Sequence, residues 1–367
     1  MQTQYKVLEE KINTRINKVL DRGDYVLGND VVELEKKLAT YTGVKHCLSC
    51  ASGTDALLLP LMAKKIGRGD AVFTTSFSFI ATAEVISLVG ARPIFVDIDK
   101  KTFNIDLVDL EDKINKTIKE GIYNPRCIIP VNIFGFLADY QQISEISSKY
   151  NLFVIEDGAQ SFGATFQNYK SCSFGDVGAT SFYPAKPLGC YGDGGAVFTN
   201  DDHLYSIMKS IRVHGEGIDK YHNDRIGLNS RLDTLQASIL IEKLKIFDEE
   251  LKKRNEIAAL YSALLKDSFS LQDVSRGSVS SWAQFSLLAD NDNKRQLILD
   301  KLNSKNIPSV IYYSIPLHLQ LAFKNLGYKI GDLPNSEDIS KRIFSIPMHP
   351  YLSNSEINKI VEVLIDG

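Results

Sequence analysis

No stretch of this 367-residue chain approaches the roughly 20 consecutive apolar residues that span a membrane, and the start, Met1 to Val7, lacks the apolar core of a signal peptide. A soluble, cytoplasmic protein is the expectation. Cysteine is scarce: five residues, an odd number, scattered at 47, 50, 127, 172 and 190, argue against a disulfide framework. Cys47 and Cys50 have C-x-x-C spacing. A single such pair between a strand and a helix start reads as packing rather than as a zinc or redox centre, and no metal is expected. Neither sign of charge dominates: 42 basic residues face 45 acidic ones, for a net charge of -3, which argues against a nucleic-acid or anionic-membrane binder. Internal repeats and low-complexity runs are absent too.

What the chain does have is length and alternation. A chain of this size buries roughly three quarters of its unfolded surface and suffices for two domains. Residues 1 to 25 read as an amphipathic helical arm, with Val7, Ile12, Ile16, Val19 and Leu20 on a rough stripe, followed by a helix from Val31 to Tyr41. From Lys45 short apolar runs alternate with helical patterns: strands at 47–50, 71–75, 93–96, 127–131 and 153–155, with helices between them. This predicts an α/β fold with a mainly parallel sheet covered on both faces. Helices at 231–244 and 249–265 lead to shorter elements: strands near 282–289 and 308–313, and helices at 292–302 and 353–365. The expected division is an arm (1–25), a large domain (26–248) and a smaller α+β domain (249–367).

The chemistry concentrates between Phe153 and Thr199. The apolar run Phe153-Val154-Ile155 delivers Glu156 and Asp157 where strand becomes loop, the edge at which open α/β sheets bind ligands. A second run, 179–182, ends on Tyr183-Pro184-Ala185-Lys186, where Pro184 stops the strand and presents a lysine beyond it. An acid and a lysine on neighbouring strand ends suit pyridoxal phosphate, which needs an amine for its aldehyde carbon, a carboxylate at its ring nitrogen and donors for its phosphate. Residue types alone favour a plain buried ion pair, or a surface lysine after a strand. Ser52-Gly53-Thr54-Asp55 similarly reads either as an ordinary helix N-cap or as a phosphate site.

The motifs shift that balance. Glu156-Asp-Gly-Ala-Gln-Ser161, Ser181-Phe-Tyr-Pro-Ala-Lys-Pro-Leu-Gly189 and Gly192-Asp-Gly-Gly-Ala196 closely resemble the sugar-nucleotide aminotransferases of the DegT/DnrJ/StrS family. The likeness continues in Ser49 to Leu57, Gly227 to Ala237 and Pro316 to Gln320, and so covers almost the whole chain in the family's order. It implies a fold-type I enzyme that uses pyridoxal 5'-phosphate and passes through the pyridoxamine 5'-phosphate form. By resemblance, Lys186 and Asp157 are catalytic. Gly53, Thr54, Ser181 and Asn229 hold the phosphate, Phe79 stacks on the ring and Gln160 lies against it. In the family the matching asparagine comes from the neighbouring subunit, which implies a homodimer with shared active sites. Some relatives carry histidine at the lysine position and catalyse dehydration, and the intact Lys186 speaks against that branch.

Tyr183, His214, Arg231, Tyr312, Tyr313 and His318 lie on or near family motifs and are the candidate substrate contacts, Arg231 being best suited to a carboxylate or phosphate. Each has a plain structural alternative. The resemblance implies transfer of an amino group from L-glutamate to a nucleotide-linked keto sugar, yielding 2-oxoglutarate. It leans toward the C3 branch, the WbpE-like enzymes acting on UDP-2-acetamido-3-keto-hexuronic acid for bacterial surface glycans such as O-antigen. Those enzymes have histidine where Tyr312 stands here, and His318-Leu-Gln resembles enzymes for dTDP-3-keto-6-deoxyhexoses. A dTDP-linked substrate, a C4 aminotransferase and a non-catalytic cofactor- or sugar-binding regulator therefore stay open as alternatives.

Overall fold

The computed structural model describes residues 2–274 and 277–365. In chain order the first half contains α1 (Gln2–Arg22), α2 (Asn29–Thr42), β1 (His46–Cys50), α3 (Gly53–Ala63), β2 (Asp70–Thr75), α4 (Ala81–Leu88), β3 (Arg92–Val96), α5 (Leu107–Glu120), β4 (Asn124–Ile129), α6 (Tyr140–Tyr150) and β5 (Phe153–Asp157). There follow β6 (Thr165–Phe166), β7 (Tyr169–Lys170), β8 (Val177–Ser181), β9 (Gly195–Thr199), α7 (Asp202–Ile211), α8 (Thr234–Leu244) and α9 (Phe247–Leu265). The last part holds β10 (Ser270–Leu271), β11 (Ser278–Val279), β12 (Phe285–Leu288), α10 (Asp292–Ser304), α11 (Pro334–Arg342), β13 (Ile343–Ile346) and α12 (Asn354–Ile365).

Seven strands form the main sheet in the order β1-β9-β8-β5-β4-β2-β3. Neighbours from β8 to β3 pair in parallel, and β9 runs antiparallel to both β8 and β1. The central strands are apolar throughout because helices cover both faces. On one face Leu57, Leu61, Val85 and Ile211 pack on Val72, Ile129 and Ile155; on the other Leu110, Ile114 and Ile143 pack on Phe73, Ile128 and Val154. The helical arm stays with its own chain, where Leu8 and Ile12 pack on Ile239 of α8.

A second sheet, β10-β12-β13, has its own core of Tyr261, Leu265, Phe285, Phe344 and Ile360. The region between α10 and β13 packs on the large sheet's end instead: Leu317, Phe323 and Leu333 bury against Ala83 and Phe95, and Ile339 joins the cluster of Phe77 and Phe134.

Four local expectations need correcting. Glu156 and Asp157 lie within β5, which continues because the Asp157 amide donates to Pro130 O at 2.9 Å and the residue pairs with Ala179. The strand expected at 308–313 reduces to a single bridge between Val310 and Ser345, since Ile311, Tyr312 and Tyr313 turn to pack on the Phe77 cluster. β13 takes the sheet position instead. β12 starts only at Phe285, after Trp282 adopts φ 46°, a left-handed backbone no strand accommodates. Finally, α8 starts at Thr234, leaving Arg231 and Leu232 in the preceding extended segment.

Candidate active site

The C-terminal ends of β5 and β8 and the start of α3 converge on one edge of the sheet. Asp157, 4 % exposed, ends β5. Its Oδ2 accepts from Thr82 Oγ1 at 2.8 Å and its Oδ1 from the Ala159 amide at 3.1 Å. Burial raises the carboxyl above its usual range, against those two donors and the Lys186 ammonium, which pull it down. The same pairing acts on Lys186: burial pushes its amine below the usual range and Asp157 opposes the shift. The two groups are thus in electrostatic reach of each other. Lys186 itself is half-buried, just past a turn closed by its own amide on Tyr183 O at 2.8 Å.

Glu156 points the other way, into the protein. Its Oε1 accepts from Asn132 Nδ2, Ser171 Oγ and the Cys172 amide, and its Oε2 from the Phe174 amide, at 2.7–2.9 Å. Burial still lifts this carboxyl to about 7 against all these donors. It anchors the 171–174 loop to β5.

The other end of the site is a backbone cup. Ser52 caps α3 by accepting from the Asp55 amide at 3.0 Å, which leaves the first-turn amides of Gly53 and Thr54 without an intrahelical acceptor. Gly53 lies so close to β8 that an added Cβ would stand 2.6 Å from Ser181 Cβ, so only glycine lets the helix start meet the Ser181 hydroxyl. Amides, helix dipole and hydroxyl together form an anion cradle.

The remaining candidates divide. Gln160, 4 % exposed, is fixed between the Phe134 amide, which donates to Oε1 at 2.6 Å, and Tyr313 OH, which accepts from Nε2 at 3.0 Å. Tyr312 lies beside Tyr313, with ring centroids 5.7 Å apart. Phe79 and Tyr183 are more than half exposed. His214 and Asn229 are also exposed, and Arg231 donates to Asn229 Oδ1. Among the described residues, no hydrogen bond or ion pair links this 214–231 group to Lys186 or Asp157. His318 is not brought to the site surface: its side chain is fully buried, with Nε2 at 3.1 Å from Glu337 Oε1, which fits the structural alternative rather than a sugar contact. No cluster of three or more metal-ligating side chains occurs among the described residues. Nor is any helix among them long and apolar enough to cross a membrane.

Thr82 is the site residue that sequence reasoning missed. It stands three positions after Phe79, on the first turn of a helix that follows β2, where a threonine reads as an ordinary polar cap. Only the packing of α4 over the sheet end, which brings Thr82 to Asp157, reveals its partner. Thr82→Val should lower cofactor affinity and turnover by about ten- to a hundredfold, the value of one hydrogen bond to a charged group. Titration of the apo-protein and steady-state rates measure both effects.

The donor set fits pyridoxal phosphate: a buried carboxylate for the ring nitrogen, an amine of depressed basicity nearby, and an anion cradle whose space a Cβ at Gly53 would fill. Fold and site together define a fold-type I enzyme of the pyridoxal-phosphate-dependent aminotransferase class.

Comparison with known proteins carries this further. The DegT/DnrJ/EryC1/StrS aminotransferase family model matches residues 6–365, and the chain belongs to that family. A DegT DnrJ EryC1 StrS aminotransferase from Brucella abortus superimposes with a TM-score of 0.96 at 50% identity, covering 99% of this chain and 96% of that one. The UDP-2-acetamido-2-deoxy-3-oxo-D-glucuronate aminotransferase of Pseudomonas aeruginosa is 43% identical over 99% of this chain and 98% of its own. At 38% identity, over 97% and 95%, stands the dTDP-3-amino-3,6-dideoxy-alpha-D-galactopyranose transaminase of Aneurinibacillus thermoaerophilus. NtdA from Bacillus subtilis, solved with bound pyridoxamine phosphate, has a TM-score of 0.87 at 29% identity, covering 97% of this chain and 81% of that one.

Proposed function

We propose that this enzyme transfers the amino group of L-glutamate to the C3 ketone of UDP-2-acetamido-2-deoxy-3-keto-hexuronic acid, in cytoplasmic synthesis of a bacterial surface glycan such as O-antigen. The observation that carries the substrate is the 43% identity, end to end, with an enzyme named for that uronate.

Bound pyridoxal phosphate supplies an aldehyde carbon that receives the amino group and a ring that spreads the electron pair left by proton removal. Lys186 holds that carbon at rest. Its amine would be the group that moves a proton between the donor's α-carbon and the cofactor's C4' atom, and the depressed basicity of this lysine keeps a larger fraction neutral for that task. Asp157 holds a proton at the ring nitrogen, with Thr82 and the Ala159 amide fixing its orientation. The amides of Gly53 and Thr54 and the hydroxyl of Ser181 bind the phosphate. Phe79 would hold the ring by stacking, and Gln160, locked by Phe134 and Tyr313, would hold it from beside.

Tyr183, His214, Arg231, Tyr312 and Tyr313 are the substrate contacts in this reading. Asn229 and Arg231 bond to each other and not to their own chain's Lys186 or Asp157, which suits a homodimer in which each subunit completes its neighbour's site. The frame is an arm (1–25), a cofactor domain (26–248) and a smaller domain (249–367).

The reaction run in reverse tests the substrate and avoids unstable keto sugars. With pyridoxal phosphate and 2-oxoglutarate, mass spectrometry should show conversion of the UDP-linked 3-amino uronate and formation of glutamate. Conversion of a dTDP-linked 3-amino-6-deoxyhexose alone would replace the uronate reading, and conversion of neither would remove the C3 assignment.

A further inference from the structure

β1 is an edge strand of the main sheet, and it runs directly into the Ser52-Gly53-Thr54 turn that forms the anion cradle. An unpaired edge leaves backbone donors and acceptors free, and such a strand end frays unless something satisfies them. Here side chains do so. The Ser49 amide donates to Glu35 Oε1 at 2.9 Å and the Ser49 hydroxyl to the same oxygen at 2.8 Å. The Ser49 carbonyl accepts from Arg212 Nη1 at 2.9 Å, and that nitrogen also donates to Glu35 Oε1 at 2.7 Å. Two residues on, the Ala51 amide donates to Ser230 Oγ at 3.4 Å, and Ser230 is itself fixed by its amide on Arg212 O at 3.0 Å. Arg212 is 5 % exposed, and Ser49 and Ser230 are fully buried.

From these contacts we infer that Glu35, Arg212 and Ser230 are positioning residues for the cofactor's phosphate, a side-chain splint that takes the place of an eighth strand and fixes the cradle. Their side-chain hydrogen bonds to the strand and turn go to Ser49 and Ala51, not to Gly53, Thr54 or Ser181. On the opposite side the turn rests on Gly195, where a Cβ would lie 2.3 Å from Ser52 O and 2.9 Å from Gly53 N. The turn is thus held from both sides. Without the splint, the turn keeps its contacts with Gly195 and Ser181 but is no longer held from the β1 edge, and the amides of Gly53 and Thr54 lose part of the fixed direction on which anion binding depends. A buried Arg–Glu pair contributes little to stability against a well-packed apolar pair of similar volume, so retaining it here serves direction.

The inference rests on the reading of Gly53, Thr54 and Ser181 as the phosphate cradle, and the test separates the two. Apo-enzyme is titrated calorimetrically with pyridoxamine 5'-phosphate and with pyridoxamine, which differ only in the phosphate and form no bond to lysine. The ratio of the two dissociation constants is the phosphate advantage. Glu35→Leu combined with Arg212→Met removes both charges together, so no lone buried charge is left. The double variant should lose about tenfold of the phosphate advantage, the equivalent of roughly one charge-assisted hydrogen bond, with pyridoxamine affinity unchanged. Ser230→Ala should lose about threefold. It decides alone if the double variant does not fold. Parallel weakening of both ligands, or no change in the ratio, overturns the splint. Ser181→Ala is the control: an unchanged phosphate advantage there overturns the cradle reading itself, whereas a loss there without one in the splint variants overturns the splint alone.

Discussion

Replacing Lys186 by alanine should cut transamination by about a thousandfold or more while the protein still folds and binds pyridoxal phosphate. The lysine has two tasks in this mechanism, holding the cofactor's aldehyde carbon and moving a proton, and positioned proton transfer alone contributes about a hundred- to ten-thousandfold. Folding should survive because the side chain is half-buried at the end of a turn closed by backbone. Cofactor binding should survive because the cradle at Gly53, Thr54 and Ser181 and the carboxylate of Asp157 remain. The measurements are glutamate-dependent turnover, calorimetric cofactor titration and the melt of the apo-protein. Turnover near that of the wild type would remove Lys186 from the mechanism.

Asp157→Asn is expected to have the next largest effect, a loss of about a hundred- to a thousandfold in turnover, because a neutral amide cannot hold the ring nitrogen cationic while charge develops. The shape of the site is kept: asparagine still accepts from the Ala159 amide, and the Thr82 hydroxyl can turn to accept from it. Stability should move the opposite way. Burial raises the Asp157 carboxyl in the folded protein above its ordinary value of 3.8. The folded state therefore binds this proton more tightly than the unfolded one, and stability is lost as pH climbs from about 4 through the folded value. The asparagine variant lacks that loss. Its apo-form should melt at or above the wild-type temperature at neutral pH, with the difference fading toward pH 4. A variant that melts well below the wild type at neutral pH would show that Asp157 serves packing first.

The sheet was legible in the sequence because β1 to β5 are short apolar runs between helical patterns, and Asp157 and Gly53 stand at the ends of such elements, with Lys186 just beyond β8. The small domain was less so. The run at 308–313 has strand composition, yet Ile311 to Tyr313 find a better apolar surface on Phe77 and Phe134 than in the sheet. His318 carries no local sign that Glu337 will enclose it, since that contact spans 19 residues and depends on α11. Thr82 and Arg212 are hidden for the same reason. A hydroxyl or a guanidinium acquires its role from a partner brought near by tertiary packing, and periodicity says nothing about that partner. The left-handed backbone at Trp282 shows the limit in another form, because composition there favours strand and the chain turns regardless.

The most direct measurement is to reduce the enzyme with borohydride in the presence of pyridoxal phosphate and map the modified peptide by mass spectrometry. Lys243 is the informative rival, since burial pushes its amine down to about 8. It is, however, 2 % exposed and donates to Gly189 O under the Tyr191 ring. The pyridoxyl mass on the peptide containing Lys186, and its loss in Lys186→Ala, is the expected result. The same mass on Lys243 or another lysine, or on none, would contradict the assignment of this site.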